Sequence, residues 1–335
     1  MVRDVIKADF TKNDWRRMRG KIHQKIYAAM GKFPPLDFSG KFQSLSKSVK
    51  HDLEHEEISF EILPGYICHG TMVYPQAGAG KRRVPAAVCI HGTDHELARY
   101  NMLRPEIRTR RAYAIELAQR GYLTIAVDQF GFGDWTGEIS EKELYHRFSH
   151  DYPGWSLDGI RLYIQQCAVT ILSCLPQVDK EQIASIGHSL GGRTSVYLAA
   201  FDERVKAAIV SAGLSANVIS IYCNYATEQV SALSPLLNES ALKNGVPIWE
   251  YQELMALAAP RCLVVVESFN DPCCPFIETR TDCVLKARFV YELYGKPENI
   301  TYLCHGCGHD TPYEIRQYCY LLLDKYFNRN QAGRE

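Results

Sequence analysis

Apolar residues recur along the chain at two different periods, and the switch between them marks its elements. Between Thr11 and Ala29 the spacing is helical. Trp15, Met18, Ile22, Ile26 and Ala29 share one face, while Arg16, Arg17, Arg19, Lys21 and Lys25 lie on the other. Thr11 and Asp14 have the spacing of a capping box at its start. The pattern predicts an amphipathic helix packed on the main domain by its apolar stripe. A membrane-surface or partner helix is the alternative with the same pattern. Gly31 to Ser48, with Pro34-Pro35, reads as an extended linking segment.

From Glu57 the period changes to that of strands. Ile58–Leu63 and Tyr66–Tyr74 flank Pro64-Gly65 and predict a hairpin. Beyond a glycine-rich, basic loop (Gln76 to Arg83), short apolar runs alternate with longer helical patterns. Strands are predicted at Pro85–Ile90, Leu123–Val127, Ile183–Ile186, Ala207–Val210, Cys262–Val266 and Ile300–Leu303. Helices are predicted at Arg104–Arg120, Leu157–Leu175, Arg193–Phe201, Phe276–Tyr294 and Tyr313–Tyr326. Such alternation implies an α/β fold, a mainly parallel sheet with helices on both faces. Sites in such sheets form at the carboxyl ends of the strands. Two insertions leave that edge, an aromatic-rich one at 131–154 and a longer one at 214–259. Both read as pocket walls or a small lid.

Composition narrows the class. A chain of 335 residues can bury a large single core. Its 38 basic and 38 acidic residues balance, so no strong field for nucleic acid or an anionic membrane follows. No stretch approaches the ~20 apolar residues of a membrane span, and Met1-Val2-Arg3-Asp4 has no signal-peptide character. The 12 cysteines are scattered, many of them inside apolar strands or helices. They read as reduced thiols of a cytoplasmic protein.

The candidate chemistry centres on Ile183-Ala184-Ser185-Ile186-Gly187-His188-Ser189-Leu190-Gly191-Gly192, a buried strand, a sharp turn and the start of a helix. Gly187, Ser189 and Gly191 satisfy G-x-S-x-G, in which small neighbours let a strained turn present a serine hydroxyl above the sheet. A serine needs a base, and the base needs a group to orient it. Asp271 follows the strand Cys262–Val266, and His309 follows the last strand in a glycine-flanked loop. Glu267 and Asp128, both at strand ends, compete with Asp271, and His305 competes with His309. Cys304, His305, Cys307 and His309 cluster in sequence, but no second ligand pair of a structural zinc site is evident, so no metal is expected. His91-Gly92-Thr93 follows the strand ending at Ile90. The backbone N–H groups of Thr93 and Leu190 are the expected oxyanion donors, with His91 a structural residue of that loop. Trp135 and Trp155 are the expected substrate-binding aromatics.

From Val84 to Phe327 the chain resembles the α/β-hydrolase superfamily, in the branch around dienelactone hydrolase, acetyl xylan esterase and the prolyl-oligopeptidase catalytic domain. The resemblance rests on His91-Gly92, Gly121-Tyr122 before a strand ending in Asp128, and Gly187 to Gly192. It rests also on Asp202 to Ala207, Ala259-Pro260-Arg261, Asp271 and Gly308-His309. It implies an eight-stranded sheet and ester, thioester or amide hydrolysis through an acyl-enzyme, without a cofactor. Residues 1–56 would then be a helical extension and linker, and 57–330 the catalytic domain. The expected activity is cleavage of a small or medium carboxylic ester. The same triad would serve a peptidase, an amidase or an acyltransferase, and a binding protein on this scaffold would lack part of it.

Overall fold

A computed structural model of the chain describes residues 5–31, 35–76, 83–105, 111–137, 139–214 and 247–329. In chain order the elements are α1 (Lys12–Ala29), β1 (Gln43–Lys50), β2 (Leu53–Leu63), β3 (Tyr66–Tyr74), β4 (Val84–Ile90), α2 (Tyr113–Gln119), β5 (Leu123–Val127), α3 (Glu141–Asp151) and α4 (Leu157–Cys174). There follow β6 (Val178–His188), α5 (Leu190–Phe201), β7 (Ala207–Ser211), α6 (Tyr251–Ala258), β8 (Cys262–Ser268), α7 (Ile277–Leu293), β9 (Ile300–His305) and α8 (Tyr313–Tyr326).

Among the described residues one sheet of nine strands has the order β1-β2-β3-β5-β4-β6-β7-β8-β9. The pairings β1–β2, β2–β3 and β3–β5 are antiparallel, and the other five are parallel. This corrects the expected eight strands. The additional strand is β1, in the segment read as a linker. All eight of its residues are exposed, and its Ser/Lys-rich sequence has no apolar alternation to announce it. Lysines on an exposed edge strand discourage further pairing.

The core is divided by the sheet as a two-residue period requires. Ala86, Val88 and Ile90 of β4 and Leu263 and Val265 of β8 face one way, toward α1, α4, α5, α6 and α7. Ala87, Cys89, Val264 and Val266 face the other way, toward α2 and α8. The helix predicted from Arg104 is shorter in the structure. A 3₁₀ turn occupies Ala98–Leu103, residues 106–110 lie outside the described residues, and α2 begins at Tyr113. Pro105 disfavours helical backbone at Arg104, whose ψ is 77°. Most of the insertion 214–259 (residues 215–246) also lies outside the described residues, and its end forms α6.

The stripe on α1 is buried, as its spacing predicts: Trp15, Ile22, Ile26 and Ala29 all enter the core. The Thr11–Asp14 capping box is formed, with Asp14 N–H donating to Thr11 Oγ1 at 3.2 Å and Thr11 N–H to Asp14 Oδ2 at 3.0 Å. Trp15 Nε1–H donates to the Tyr294 hydroxyl of the residue capping α7 (3.2 Å), and Lys25 pairs with the buried Glu253 of α6. The described residues include no helix long and apolar enough to cross a membrane. Ile26→Ala should lower unfolding free energy by about 2–5 kcal/mol, read from urea denaturation. The exposed Lys21→Ala should change it by under about 0.5 kcal/mol. Equal, small effects would show that α1 is not part of the folded core.

Candidate active site

β6 runs into α5 through a turn that only close-packed backbones can make. Ser189 sits at φ +55°, ψ −122°, a region costly for a residue with a Cβ. A Cβ on Gly187 would lie 2.1 Å from the Gly191 carbonyl oxygen, and one on Gly191 would lie 2.1 Å from that of Ile90. The turn is held by Ser189 N–H to Ser211 O (2.8 Å) and by Arg193 N–H to Ser189 O (2.9 Å). Leu190 opens α5, and N–H groups of a first turn have no intrahelical acceptor. The loop after β4 crosses directly above, since a Cβ on Gly92 would lie 3.5 Å from Ser189 Cβ. Thr93 follows in that loop and is exposed.

Asp271 and His309 are in contact. His309 Nδ1–H donates to Asp271 Oδ2 at 2.7 Å, because an ionised carboxylate only accepts. Asp271 Oδ1 accepts from the N–H groups of Cys273 (2.8 Å) and Cys274 (3.1 Å). The acid side chain is fully buried, whereas that of His309 is 22% exposed. The His309 ring lies 4.8 Å from that of His188, the residue before Ser189. His188 Nδ1 in turn hydrogen-bonds Ser211 Oγ and Thr311 Oγ1, each at 3.1 Å. Thr311 also meets the Tyr113 hydroxyl at 3.1 Å, and Arg111 pairs with Asp310 at 2.7 Å. The loop bearing His309 is thereby tied to the residue preceding the serine. The variable position of the G-x-S-x-G motif carries no such signal in sequence.

The competing residues have other partners. Glu267 is buried against Arg280, Oε2 to Nε 3.0 Å. Burial pushes its carboxyl up to about 8 against the pull of that guanidinium. Arg280 continues to Ser268 O (2.9 Å), Pro275 O (3.1 Å) and Cys274 O, which makes it the staple of the loop that carries Asp271. Asp128 is held by Arg99 and by the N–H of Asp134 (3.1 Å). Arg99 reaches Asp134 (2.9 Å) and Glu57 (3.3 Å) as well. Neither arginine stood out in the sequence, because each acts through partners remote along the chain. His305 Nδ1 accepts from Cys307 N–H (3.2 Å) within its own loop.

The expected aromatics separate. Trp135 packs on Phe130, donates Nε1–H to Asp128 O (3.1 Å) and lines a cleft of about 850 Å³ between β3 and α3. Trp155 is 4% exposed and packs edge-on against Phe148 and Tyr163 in the core, so its ring is not presented to a ligand. Phe130 and Phe148 are also fully buried. The aromatic insertion thus spends most of its rings anchoring α3. The cleft lies on the carboxyl edge of β5, two strands from β6, which is about 10 Å at the usual strand spacing.

His91 is a fixed, neutral imidazole. Its Nδ1–H donates to Gly92 O (2.7 Å) and its Nε2 accepts from Gln129 N–H (2.9 Å). Burial lowers its pKa to about 4, and burial also holds His188 well below the ordinary value. A group whose folded pKa is depressed contributes stability that is whole above its unfolded pKa and is lost as pH falls toward the folded one. Between pH 7 and pH 5, His91 alone should lower unfolding free energy by about 2 kcal/mol, with His188 acting in the same direction. Urea denaturation at the two pH values measures the loss, and His91→Asn should flatten the dependence by that amount. An unchanged slope would mean that His91 is not held neutral.

The family model described as "Abhydrolase family" (Abhydrolase_7) matches residues 3–306. The protein named "Putative hydrolase YtaP" of Bacillus subtilis (strain 168) is 30% identical over 98 residues. That alignment takes in 29% of this chain and 32% of the relative, so it spans about a third of the relative's length. Among solved structures, a glucuronoyl esterase from Solibacter usitatus superposes with a TM-score of 0.73 at 15% identity, covering 95% of this chain and 94% of its own. A CE15 glucuronoyl esterase from Teredinibacter turnerae T7901 gives 0.66 at 15% identity, over 95% and 86%. At such identities the likeness is one of fold. The family match runs over nearly the whole chain, and its strand, strained serine turn and helix stand on a mostly parallel sheet. The chain therefore belongs to the Abhydrolase_7 family and has the α/β-hydrolase fold.

Proposed function

We propose that the protein is a serine carboxylester hydrolase acting through an acyl-enzyme. The observation that carries this reading is the 2.7 Å bond from His309 to Asp271, with the His309 ring against His188, the residue before a serine held at φ +55° on a strand-to-helix turn. Asp271 holds the proton on Nδ1, which leaves the Nε2 lone pair of His309 to take the proton of Ser189. Ser189 Oγ attacks the ester carbonyl, and the backbone N–H groups of Leu190 and Thr93 receive the oxyanion. His309 then protonates the departing alcohol. Water, activated by the same imidazole, releases the acid and restores the serine.

The esterases among the structural neighbours support an ester as the substrate, and the two described above are glucuronoyl esterases. The cleft beside Trp135 offers space on the same sheet edge for a remote part of the substrate, such as a glycosyl group. The described cysteines are all free thiols, which suits a reducing compartment.

A fluorophosphonate should add once to the wild type and not to Ser189→Ala, read by intact mass. No adduct on folded wild type would remove the acyl-enzyme reading. Asp271→Asn should lower kcat by about three to four orders of magnitude, through loss of the required tautomer. Above pH 8, where its carboxyl is ionised, Glu267→Gln should instead cost about 3 kcal/mol of stability, because Arg280 loses its charge partner, with kcat changed only a few-fold. The reverse pattern in paired kinetic and denaturation measurements would make Glu267 the acid.

A further inference from the structure

The hydrolytic reading leaves one functional side chain beside the triad unused. Asp271 Oδ1 accepts two N–H bonds from the residues just after it, and this turn brings the chain back toward the carboxylate. Cys273 lies in that turn and is exposed. Ligand atoms of Asp271, Cys273 and His309 all lie within 4.8 Å of one another. A carboxylate, a thiolate and an imidazole are the three donor types zinc uses, and its bonds of about 2.0–2.3 Å place ligand atoms about 3.5 Å apart. Rotation of an exposed cysteine about χ1 can close the difference. The two N–H bonds to Asp271 Oδ1 keep the carboxylate at a fixed position, so this ligand needs no ordering when the metal arrives.

We propose that Asp271, Cys273 and His309 form a zinc-binding site, with a fourth position open to water, whose occupation blocks the hydrolase; the blocking rests on the triad reading above. Binding converts the Cys273 thiol to a zinc-bound thiolate and releases one proton to solvent. It also requires a neutral imidazole nitrogen. Asp271 lies on the Nδ1 side of the ring, so the metal takes Nδ1 and displaces the hydrogen bond to Asp271. The metal and the orientation that proton transfer requires then compete for one ring. Calcium and magnesium prefer oxygen ligands and should not be retained.

The test follows ester hydrolysis during titration with zinc chloride and after EDTA, on the wild type and Cys273→Ser, which retains the backbone N–H bond to Asp271. Cobalt chloride binding is measured separately through the thiolate-to-cobalt charge-transfer band, on the wild type, Cys273→Ser and Ser189→Ala. Micromolar zinc should inhibit the wild type reversibly, while magnesium and calcium do not. Cys273→Ser should keep its basal rate and need at least about tenfold more zinc, having lost the soft ligand. The inactive Ser189→Ala should still give the cobalt band, and Cys273→Ser should not. Absence of the band from both thiol-bearing proteins overturns the site. A Cys273→Ser enzyme as zinc-sensitive as the wild type overturns the inhibition. A protein that gives the band but hydrolyses no ester supports the site and removes the triad reading.

Discussion

The approach of backbone to backbone at Gly187 and Gly191 is the constraint on which the site depends. Any side chain at either position would collide with a carbonyl 2.1 Å away, so β6, α5 and the end of β4 meet with nothing between them. A turn this tight forces Ser189 to positive φ, at a cost of about 1–3 kcal/mol. The cost is met by a sheet buried on both faces and by two backbone bonds that pin the serine residue itself. In return, the serine stands at the sheet edge with the first turn of α5 below it and the loop after β4 above. Preorganisation of this kind is bought at folding, before any ligand arrives.

Buried cations do for the surrounding loops what hydrogen-bonded ladders do for the strands. Arg99 gathers Asp128, Asp134 and Glu57, and Arg280 gathers Glu267 with three carbonyls of the acid loop. Arg161 joins Glu141 (2.5 Å) to the Phe130 carbonyl (3.1 Å), which fixes the start of α3 against the loop after β5. Removing one partner from such a pair strands a charge in a poor solvent, so each pair specifies a single loop position. The neutral histidines complete the scaffold. His91 bridges two adjacent strand ends, and His188 connects the serine turn to the loop of His309.

The sequence was most legible where burial was one-sided or complete. Tyr66–Tyr74, Leu123–Val127 and Tyr313–Tyr326 have the same bounds in the structure as their patterns predict. β1 escaped because an exposed edge strand has no apolar face to mark it. Trp155 lies buried in the core, and an aromatic beside an insertion looks alike in sequence whether it faces a ligand or anchors a helix. Arg99 and Arg280 were silent for a related reason, since an arginine in a sequence reads as surface until its partners are known.

What the sequence determined by itself is what depends on local geometry and on periods along the chain. That includes the alternation of strand and helix, the capped α1 with its buried stripe, and the strand–serine–helix turn, whose glycines are required by contacts a few residues apart. Which of Asp271, Glu267 and Asp128 stands against His309 was decided only by the tertiary structure. All three are carboxylates in or just beyond strands on the same edge, and chain order sets Asp128 apart, before Ser189, but treats Glu267 and Asp271 alike. Glu267 and Asp128 are each taken up by a buried arginine, whereas Asp271 lies in hydrogen-bond contact with the imidazole. An ion pair between residues remote in sequence exists only once the chain has closed around it, and no period along the chain records it.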